Sequence, residues 1–460
     1  MDAGCDFEVQ AGVTPLFASQ ALVRWPALDY FEATHVQLYA GSMHAKLLLL
    51  FTCSLSGVVK FAARMVSPED PSALAPLAPP PPPCSWPPSS VSYTITGPLG
   101  SGSFGVVFRA RRTTQRSSRS SEVALKVVPR YSLTSSRELE TMLTLGENPH
   151  ASVMQLIESF STRILGTGCE AKHFTVMVMP LYDSSMREWL RVMAENGADA
   201  PRRLAHTQQI GKQLSAALAH VHALRICHRD VKPENIMVHH GGRSNTHGMQ
   251  GCSCVLADFG SAKQFGAEPK DDRPEEATGS IPYVCTRMYR APELFFGCHG
   301  YRFAPDIWSL GCVLAEVVLC GDHLFDADAS SPERFAAKDD ELYSTAQLHV
   351  LISSMGTPTD SELLDMNPAL ASQNLSHLLS SWLLVQKPAS PDLDWRHVVR
   401  EALAGCGGSR RSIDAVMALL GSILLYSPQR RLSAEQLARH PFWSTDVGAS
   451  RLLHVGMGRL

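Results

Sequence analysis

The chain has 460 residues, with 41 basic and 44 acidic side chains and a formal net charge of -3. This length suits two or three folded units rather than one small domain. The charge balance lacks the basic excess of nucleic-acid binders, so we expect no nucleic-acid partner. The 12 cysteines are scattered, which fits a reducing compartment better than a disulfide scaffold. We therefore expect a cytoplasmic location that extends to the nucleus.

An apolar run covers residues 47–59. It is shorter than the about 20 residues that a membrane-spanning helix needs, so we expect no membrane span. The run also lies too far from residue 1 to be a signal peptide unless translation begins at Met43. An incorrectly assigned start, with Met65 as the true one, is a further alternative. The simplest interpretation is an amphipathic or unstructured extension.

The pattern of residue types divides the rest of the chain. Residues 66–90 are proline-rich, which is typical of an extended linker, so we expect residues 1–90 to form a disordered extension. Residues 91–182 alternate apolar and polar side chains, with one helical stretch among strands. Residues 183–445 are mostly helical in pattern, and residues 446–460 form a tail. Two lobes of different class predict a ligand-binding cleft between them.

A glycine-rich motif, GSGSFGVV, occupies residues 100–107. Glycines at this spacing allow backbone N–H groups to approach phosphates without interference from Cβ atoms. A second strand follows instead of a helix, which favours a hairpin over a dinucleotide-binding fold. An ordinary glycine-rich turn is the alternative. The candidate nucleotide-binding residues of this motif are Gly100, Ser101, Gly102, Ser103, Phe104, Gly105 and Val107.

A lysine, Lys126, stands in the apolar strand sequence VALK. A buried ammonium needs an anionic partner, which ATP phosphates or Glu138 on the next predicted helix would supply. A lysine exposed at the surface is the alternative interpretation.

The sequence HRDVKPEN at 228–235 carries the strongest chemical signal. Asp230 can orient the hydroxyl of a substrate, and Lys232 can neutralise a transferring phosphoryl group. Asn235 offers an amide oxygen to Mg²⁺, and Asp258 of the following DFG tripeptide offers a carboxylate. Further on, Glu293 and Arg431 are expected to form a buried structural pair.

These motifs, together with Asp306 of the DIWS sequence, resemble the eukaryotic protein kinases over about residues 91–445. The resemblance implies a bilobal α+β fold: a five-stranded antiparallel sheet with one main helix, followed by a mostly helical lobe. It also implies transfer of the γ-phosphoryl group of ATP, with Mg²⁺, to Ser or Thr hydroxyls of protein substrates. The adenine would contact Ala124 and Met179, and a hinge would be formed by Pro180, Leu181 and Tyr182. Because Pro180 has no N–H to donate, the hydrogen bonds of the hinge would come from the other two residues.

Four segments are similar to glycogen synthase kinase-3: RELETM at 137–142, DFGSAKQF at 258–265, YVCTRMYRAPE at 283–293 and MGTPTD at 355–360. An arginine immediately before the APE sequence, here Arg290, is a feature in which the chain resembles the wider CMGC group of kinases. The resemblance implies that Arg137, Arg229 and Lys263 bind a phosphate already present on the substrate, four residues downstream of the acceptor. Three neighbouring cations repel one another unless an anion lies among them. Solvated surface charges are the alternative.

The same resemblance implies an activating phosphotyrosine at Tyr283, for which a packed tyrosine is the alternative. Three insertions depart from the pattern, at 239–254, 270–280 and 326–341. The acidic residues at 270–280 suggest a mimic of a phosphorylated substrate. The region after 326–341 binds scaffold proteins in the family resembled, so we expect a scaffold partner on the second lobe. A zinc site is an alternative for the first insertion, with the candidate ligands His239, His240, His247, Cys252 and Cys254.

Two rival functions are weighed against these residues. A catalytically inactive pseudokinase usually lacks the strand lysine or one of the two aspartates, yet Lys126, Asp230 and Asp258 are all present. A cyclin-dependent or MAP-type kinase without the phosphate preference is the other rival. RELETM does not resemble a cyclin-binding helix, and the activation segment has no TxY sequence.

Overall fold

The computed structural model describes residues 20–25, 28–34, 37–39, 46–53, 59–66, 91–102, 105–114, 117–129, 133–165, 171–240, 252–266, 286–298, 300–326, 340–372 and 394–447. The chain divides into two compact units. The first comprises Met1–Glu147 and Gln155–Leu181, and the second comprises Asn148–Met154 and Tyr182–Leu460.

The first unit is built on a sheet. Its strands are β1 (Gln20–Trp25), β2 (Leu28–Thr34), β3 (Gln37–Tyr39), β4 (Lys46–Cys53), β5 (Val59–Val66), β6 (Val91–Gly102), β7 (Gly105–Thr114), β8 (Ser117–Pro129), β9 (Glu158–Leu165) and β10 (Ala171–Pro180). Their order across the described sheet is β1-β2-β5-β4-β9-β10-β8-β7-β6-β3. The central run from β9 to β6 is antiparallel throughout and corresponds to the predicted five-stranded sheet.

The sheet is larger than predicted because strands from the extension join both of its edges. β3 pairs with β6, and β4 pairs with β9 in parallel orientation. The described residues of the apolar run at 47–59 lie in β4 and at the start of β5. A short apolar run is compatible with a strand as well as with the amphipathic or unstructured segment that we expected.

Side chains of alternate residues cover the two faces of the central strands, as the period of two requires. Val127, Val176 and Val178 belong to one apolar cluster, together with Tyr93 and Phe108. Their chain neighbours Val128 and Met177 point to the opposite face, where they pack with Leu139 of helix α1 (Leu133–Glu147). Because both faces are covered, the strand sequences are apolar in long runs.

The second unit is mostly helical. Its helices are α2 (Met186–Glu195), α3 (Ala200–Ala223), α4 (Pro292–Phe295), α5 (Ala304–Val318), α6 (Asp340–Met355), α7 (Asp360–Met366), α8 (Trp395–Ala404), α9 (Arg410–Ile423) and α10 (Ala434–Ala438). Its short strands are β11 (Ser184–Ser185), β12 (Ile226–Cys227), β13 (Ile236–His240), β14 (Cys252–Leu256) and β15 (Lys263–Gln264). Among the described helices, none is long and apolar enough to cross a membrane.

Helix α5 forms the centre of the second unit. Every residue from Pro305 to Val318 is buried, which is typical of a helix surrounded by other elements. The packing is close: a Cβ atom at Gly311 would lie 2.5 Å from Cγ2 of Ile423 in α9. The buried acids Asp306 and Glu316 belong to this helix and therefore need polar partners from the elements around it.

Candidate active site

The glycine-rich motif lies at the β6–β7 hairpin, where Gly102 pairs with Gly105. A Cβ atom at Gly105 would lie 2.4 Å from the carbonyl oxygen of Val127, so β8 can approach only a glycine here. A Cβ atom at Gly100, by contrast, would have no heavy atom within 4 Å. The space beside Gly100 is therefore open to a ligand. Ser103 and Phe104 lie outside the described residues.

Lys126 is buried in β8, between Val107 of β7 and Met177 of β10. Its Nζ atom lies 2.5 Å from Oε1 of Glu138 in α1. Ala124 and Met179 form the next register pair on this face. The strand period thus places the candidate adenine-contacting side chains on the same face as the lysine.

The predicted hinge residues follow the last strand of the first unit. Pro180 ends β10, where it pairs with Val123. Leu181 is the last residue of the first unit and Tyr182 is the first of the next segment of the second. Burial raises the pKa of the Tyr182 phenol, so the ring carries no charge near neutral pH.

Three catalytic-loop residues converge in the second unit. The Lys232 ammonium lies 2.8 Å from Oδ2 of Asp230. The Asn235 side-chain amide donates to Oδ2 of Asp230 at 2.9 Å and to the backbone carbonyl of the same residue at 2.8 Å. Since these bonds use the amide nitrogen, the amide oxygen of Asn235 is the atom that could bind a cation.

A fourth residue, Thr286, completes this group and was not singled out from the sequence. Its backbone N–H and its hydroxyl both donate to Oδ1 of Asp230, at 3.2 and 3.0 Å. Its hydroxyl also accepts from the Lys232 ammonium at 2.8 Å. Asp230 is therefore oriented through both carboxylate oxygens. Thr286 precedes the APE sequence by only a few residues, yet a threonine in that position carries no chemical signal by itself.

The catalytic loop is anchored by Asp306 at the start of α5. Its carboxylate accepts from the backbone N–H groups of His228 and Arg229 at 2.8 Å and contacts the His222 imidazole at 2.9 Å. Burial acts to raise the pKa of Asp306, but the bond with His222 and the nearby imidazole of His228 hold it below its ordinary value. The sequence indicated Asp306 but not His222. The anchor holds Arg229 at a φ of 66°, a strained conformation next to Asp230.

Asp258 also has a positive φ, 61°, and its carboxylate accepts from the N–H of Gly260 at 3.2 Å. The neighbouring Phe259 is buried and packs edge-on against His228, with ring centroids 4.8 Å apart. Carboxylate and amide oxygens are the ligands that Mg²⁺ prefers. Asp258 and Asn235 therefore have the chemistry to bind this ion.

The described residues contain no group of three or more His, Cys, Asp and Glu side chains arranged to hold a metal. Of the five zinc candidates, Cys254 is fully buried and the exposed His239 pairs with Asp183 at 3.0 Å. The side chains of His240, His247 and Cys252 lie outside the described part. A zinc site thus gains no support from the residues that are described.

The three candidate phosphate-binding cations are divided between the units. Arg137 is exposed on α1 of the first unit. In the second unit, Lys263 of β15 pairs through the backbone with Cys227 of β12. Cys227 precedes Arg229 by two residues. The Arg229 guanidinium donates to the carbonyl of Ser261 at 2.6 Å. Arg229 and Lys263 thus belong to adjacent backbone segments. Tyr283 lies outside the described residues, as does the 270–280 insertion.

Glu293 and Arg431 form a fully buried pair with two parallel bonds of 2.7 Å. The guanidinium also donates to the carbonyl groups of Leu425, Tyr426 and Ala304. These contacts tie α4, α5 and the segment before α10 together.

Two comparisons with known proteins agree with this geometry. The family model of the protein kinase domain matches residues 93–443. The chain is 29% identical over 352 residues to a protein of Trypanosoma brucei brucei named glycogen synthase kinase 3, covering 76% of this chain and 83% of that protein. The chain therefore belongs to the protein kinase family, as a serine/threonine protein kinase similar to glycogen synthase kinase 3.

Proposed function

We propose that this serine/threonine kinase transfers the γ-phosphoryl group of Mg-ATP preferentially to substrates that already carry a phosphate four residues downstream of the acceptor. The observation that carries the transfer reaction is the orientation of Asp230 through both of its carboxylate oxygens by Lys232, Asn235 and Thr286.

Each residue of this group has one task in the proposed reaction. The Asp230 carboxylate accepts a hydrogen bond from the substrate hydroxyl and so directs its oxygen toward the phosphoryl group. The Lys232 ammonium, 2.8 Å from that carboxylate, offsets the negative charge that develops during transfer. Mg-ATP supplies the phosphoryl group and the metal charge, and Asn235 and Asp258 offer the oxygen ligands for the ion. Catalysis then depends mainly on positioning and electrostatics.

Lys126 has a different task, which is to hold the nucleotide. Its ammonium is buried at a face of the sheet and paired with Glu138 in α1. A lysine in this environment keeps its charge only beside anions, and the α- and β-phosphates of ATP are such anions. The open space at Gly100 allows backbone N–H groups of the hairpin to approach the phosphates.

The preference for a phosphorylated substrate is supported by Arg229 and Lys263. They lie on backbone segments that are joined by the β12–β15 pairing and by the Arg229–Ser261 bond. Two cations on adjacent segments attract a dianionic phosphate, which brings three acceptor oxygens. Arg137, exposed beside the buried Glu138, is the proposed third contact.

The test compares two peptides, Ser-x-x-x-Ser and Ser-x-x-x-phosphoSer, with Mg-ATP and the full chain. We expect kcat/KM at least about tenfold higher for the phosphorylated peptide, since one retained charge-assisted hydrogen bond suffices for that ratio. Arg137→Ala should remove most of the preference, whereas Arg111→Ala, at another exposed arginine of the same unit, should not. Asp258→Asn should abolish transfer to both peptides.

Equal use of the two peptides by the wild-type chain would retain the kinase and remove the phosphate preference, as expected for a cyclin-dependent or MAP-type enzyme. No transfer to either peptide, with nucleotide binding retained, would instead favour a pseudokinase.

Three further proposals concern the cellular context. We propose a cytoplasmic location with access to the nucleus, a scaffold protein as a partner of the second unit, and activation by phosphorylation at Tyr283. Imaging of a tagged full-length chain tests the first proposal. Mass spectrometry of the purified protein tests the third, because an unmodified Tyr283 in a fully active preparation would contradict it.

A further inference from the structure

A charged cluster next to the catalytic loop has no task in the transfer reaction. It consists of Arg187, Glu234, Tyr289, Glu316 and His323, and it is called the Arg187 cluster below. All five residues belong to the second unit. Glu234 lies within the HRDVKPEN sequence and Tyr289 within YVCTRMYRAPE, but neither residue was assigned a role from these motifs, so the sequence did not identify the cluster.

The guanidinium of Arg187 is the centre of the cluster. Its Nε donates to Glu234 at 2.8 Å, its Nη2 donates to the Tyr289 hydroxyl at 2.5 Å, and its Nη1 pairs with Glu316. The Tyr289 hydroxyl in turn donates to Glu316 at 2.7 Å. Arg187 follows Ser185 in the first turn of α2, which a capping box with Glu188 fixes in place. The arginine is therefore held rigidly between two carboxylates.

The two carboxylates differ in their access to solvent. The side chain of Glu316 is 1% exposed, whereas that of Glu234 is 46% exposed. Burial raises the pKa of Glu316, and the nearby His323, Tyr289 and Arg187 oppose this effect. Glu234 stands two residues after Lys232 and four after Asp230, so its Cα atom is at most about 15 Å from that of Asp230 along the chain. A peptide residue within about four positions of an acceptor hydroxyl at Asp230 could therefore reach Glu234.

An exposed carboxylate at that distance from the acceptor would select substrates with a basic side chain, because arginine binds carboxylates through two parallel hydrogen bonds. In this chain Arg187, a residue of the kinase itself, already makes these contacts with Glu234 and Glu316. The geometry points to Arg187 as a specificity-determining residue that occupies Glu234 and Glu316 and thereby keeps this kinase from selecting peptides with arginine near the acceptor. The inference rests on the proposed function and names a residue that determines which peptides the kinase accepts.

The same contacts also explain why removal of Arg187 should change specificity and not only stability. Arg187→Ala leaves a space of the size of a guanidinium group, lined by Glu234, Glu316 and the Tyr289 hydroxyl. An arginine of the substrate then finds the partners that Arg187 has in the wild-type chain. Specificity of this kind depends on a difference between two substrates, so it is measured as a ratio.

The experiment uses peptides that differ only in having arginine or the neutral isostere citrulline at one position, scanned over four residues on each side of the acceptor serine. For the wild-type chain we expect ratios of kcat/KM near one at all positions. For Arg187→Ala we expect a preference for arginine of at least about tenfold at one or two positions. This preference should vanish in Arg187→Ala combined with Glu234→Gln.

A matched control is available on the same helix. Arg191 lies one turn further along α2 and pairs with Glu195 at 2.5 Å on an exposed surface. Arg191→Ala removes a cation from the same helix but exposes no carboxylate of the cluster. Its ratios should stay near one at every position.

Because Arg187→Ala leaves the buried Glu316 without its cation, the variant combined with Glu316→Gln provides a second test that lacks the buried charge. It should gain the preference for arginine through Glu234 alone. The single variant Glu234→Gln, at an exposed position, should leave the ratios of the wild-type chain unchanged. A wild-type preference for arginine that Glu234→Gln removes would overturn the inference, as would a folded Arg187→Ala chain without any gain. Failure of the wild-type chain to phosphorylate any peptide would contradict the proposed function instead.

Discussion

Two buried ion pairs, one in each unit, are built differently. In the first unit, the Lys126 ammonium meets Glu138 through a contact of 2.5 Å. In the second, the guanidinium of Arg431 makes two bonds of 2.7 Å to Glu293 and donates further to three backbone carbonyl groups. Arg431 also lies over the ring of Trp308, with 5.1 Å from its Cζ atom to the ring centroid.

The difference separates a structural pair from one that is suited to bind a ligand. A guanidinium has a rigid fork of five donors, and the contacts of Arg431 engage its three nitrogen atoms within the protein. A lysine ammonium is a compact charge on a flexible stem, which can turn from one anion to another. Both pairs are buried, so burial alone does not distinguish them. The number and geometry of the hydrogen-bond donors distinguish the two pairs.

The largest expected effect on stability follows from Arg431→Met. The substitution leaves Glu293 as a buried charge without its cation, and three carbonyl groups lose their donor. We expect the free energy of unfolding to fall by about 3–5 kcal/mol, measured by urea denaturation. Arg430→Ala, at the exposed neighbouring position, should change it by less than about 0.5 kcal/mol. A loss of under about 1 kcal/mol in Arg431→Met would remove the distinction between the two pairs.

At the other pair we expect a large effect on activity with a small effect on stability. The double variant Lys126→Met with Glu138→Gln replaces both charges by neutral side chains of similar length, which is often neutral for stability. The free energy of unfolding should change by less than about 1.5 kcal/mol. In contrast, kcat/KM should fall about 100-fold or more, since the phosphates of the nucleotide lose a positive partner. Activity within about threefold of wild type would contradict a role of Lys126 in nucleotide binding.

Two of the glycines in the β6–β7 hairpin, Gly105 and Gly100, provide a smaller, matched contrast. Gly105→Ala places a methyl group against the backbone of β8 and should lower the free energy of unfolding by about 1–3 kcal/mol. Gly100→Ala meets open space and should cost less than about 1 kcal/mol. Its effect should appear instead as a higher KM for ATP, measured at saturating peptide. Equal stability of the two variants would show that close packing against β8 does not require Gly105.

A third group, the partly buried His206, contrasts with both pairs because the charge near it has the same sign, that of Arg202. Its ring packs edge-on against Trp189, and its buried Nδ1 receives no hydrogen bond. Burial, together with the nearby Arg202, lowers its pKa from 6.5 to about 4. His206 is therefore protonated near pH 6.5 in the unfolded chain but only near pH 4 in the folded chain. The folded state consequently loses stability as the pH falls from 6.5 to 4.

The expected slope from His206 is about 1.4 kcal/mol per pH unit. Urea denaturation of the wild-type chain and of His206→Gln at pH 7, 6 and 5 isolates it, because the other titrating groups are common to both chains. The difference between the two chains should shift in favour of His206→Gln as pH falls. A difference that does not depend on pH would mean that His206 is protonated freely in the folded state.

Much of the candidate site could be predicted from the sequence because its motifs are local. The spacing of HRDVKPEN brings Asp230, Lys232 and Asn235 into one short loop, where they contact each other in the structure. The strand pattern around Lys126 and the helical composition around Glu138 predicted a sheet lysine and a helical acid, and the structure pairs them. Such contacts depend on chain geometry over a few residues and on the need of a buried charge for a partner.

The residues that the sequence did not identify are those whose partners come from distant segments. Thr286 contacts Asp230 across 56 residues, and Arg187 contacts Glu316 across 129. One sign was available for Glu316, since an acid in the otherwise apolar α5 must find a partner. The sequence could not say which cation would supply it.

The amino-acid sequence by itself determined the kinase fold of this chain, the order of its strands and helices from Val91 onward, and the candidate catalytic groups of the HRDVKPEN loop. Only the tertiary structure decided that Gly105 is required by the sheet, that Thr286 orients Asp230, and that Arg187 fills the acidic surface beside Glu234. The physical reason is that pattern and propensity act along the chain, whereas a buried charge is satisfied by whichever group the packing of other segments brings within hydrogen-bonding distance.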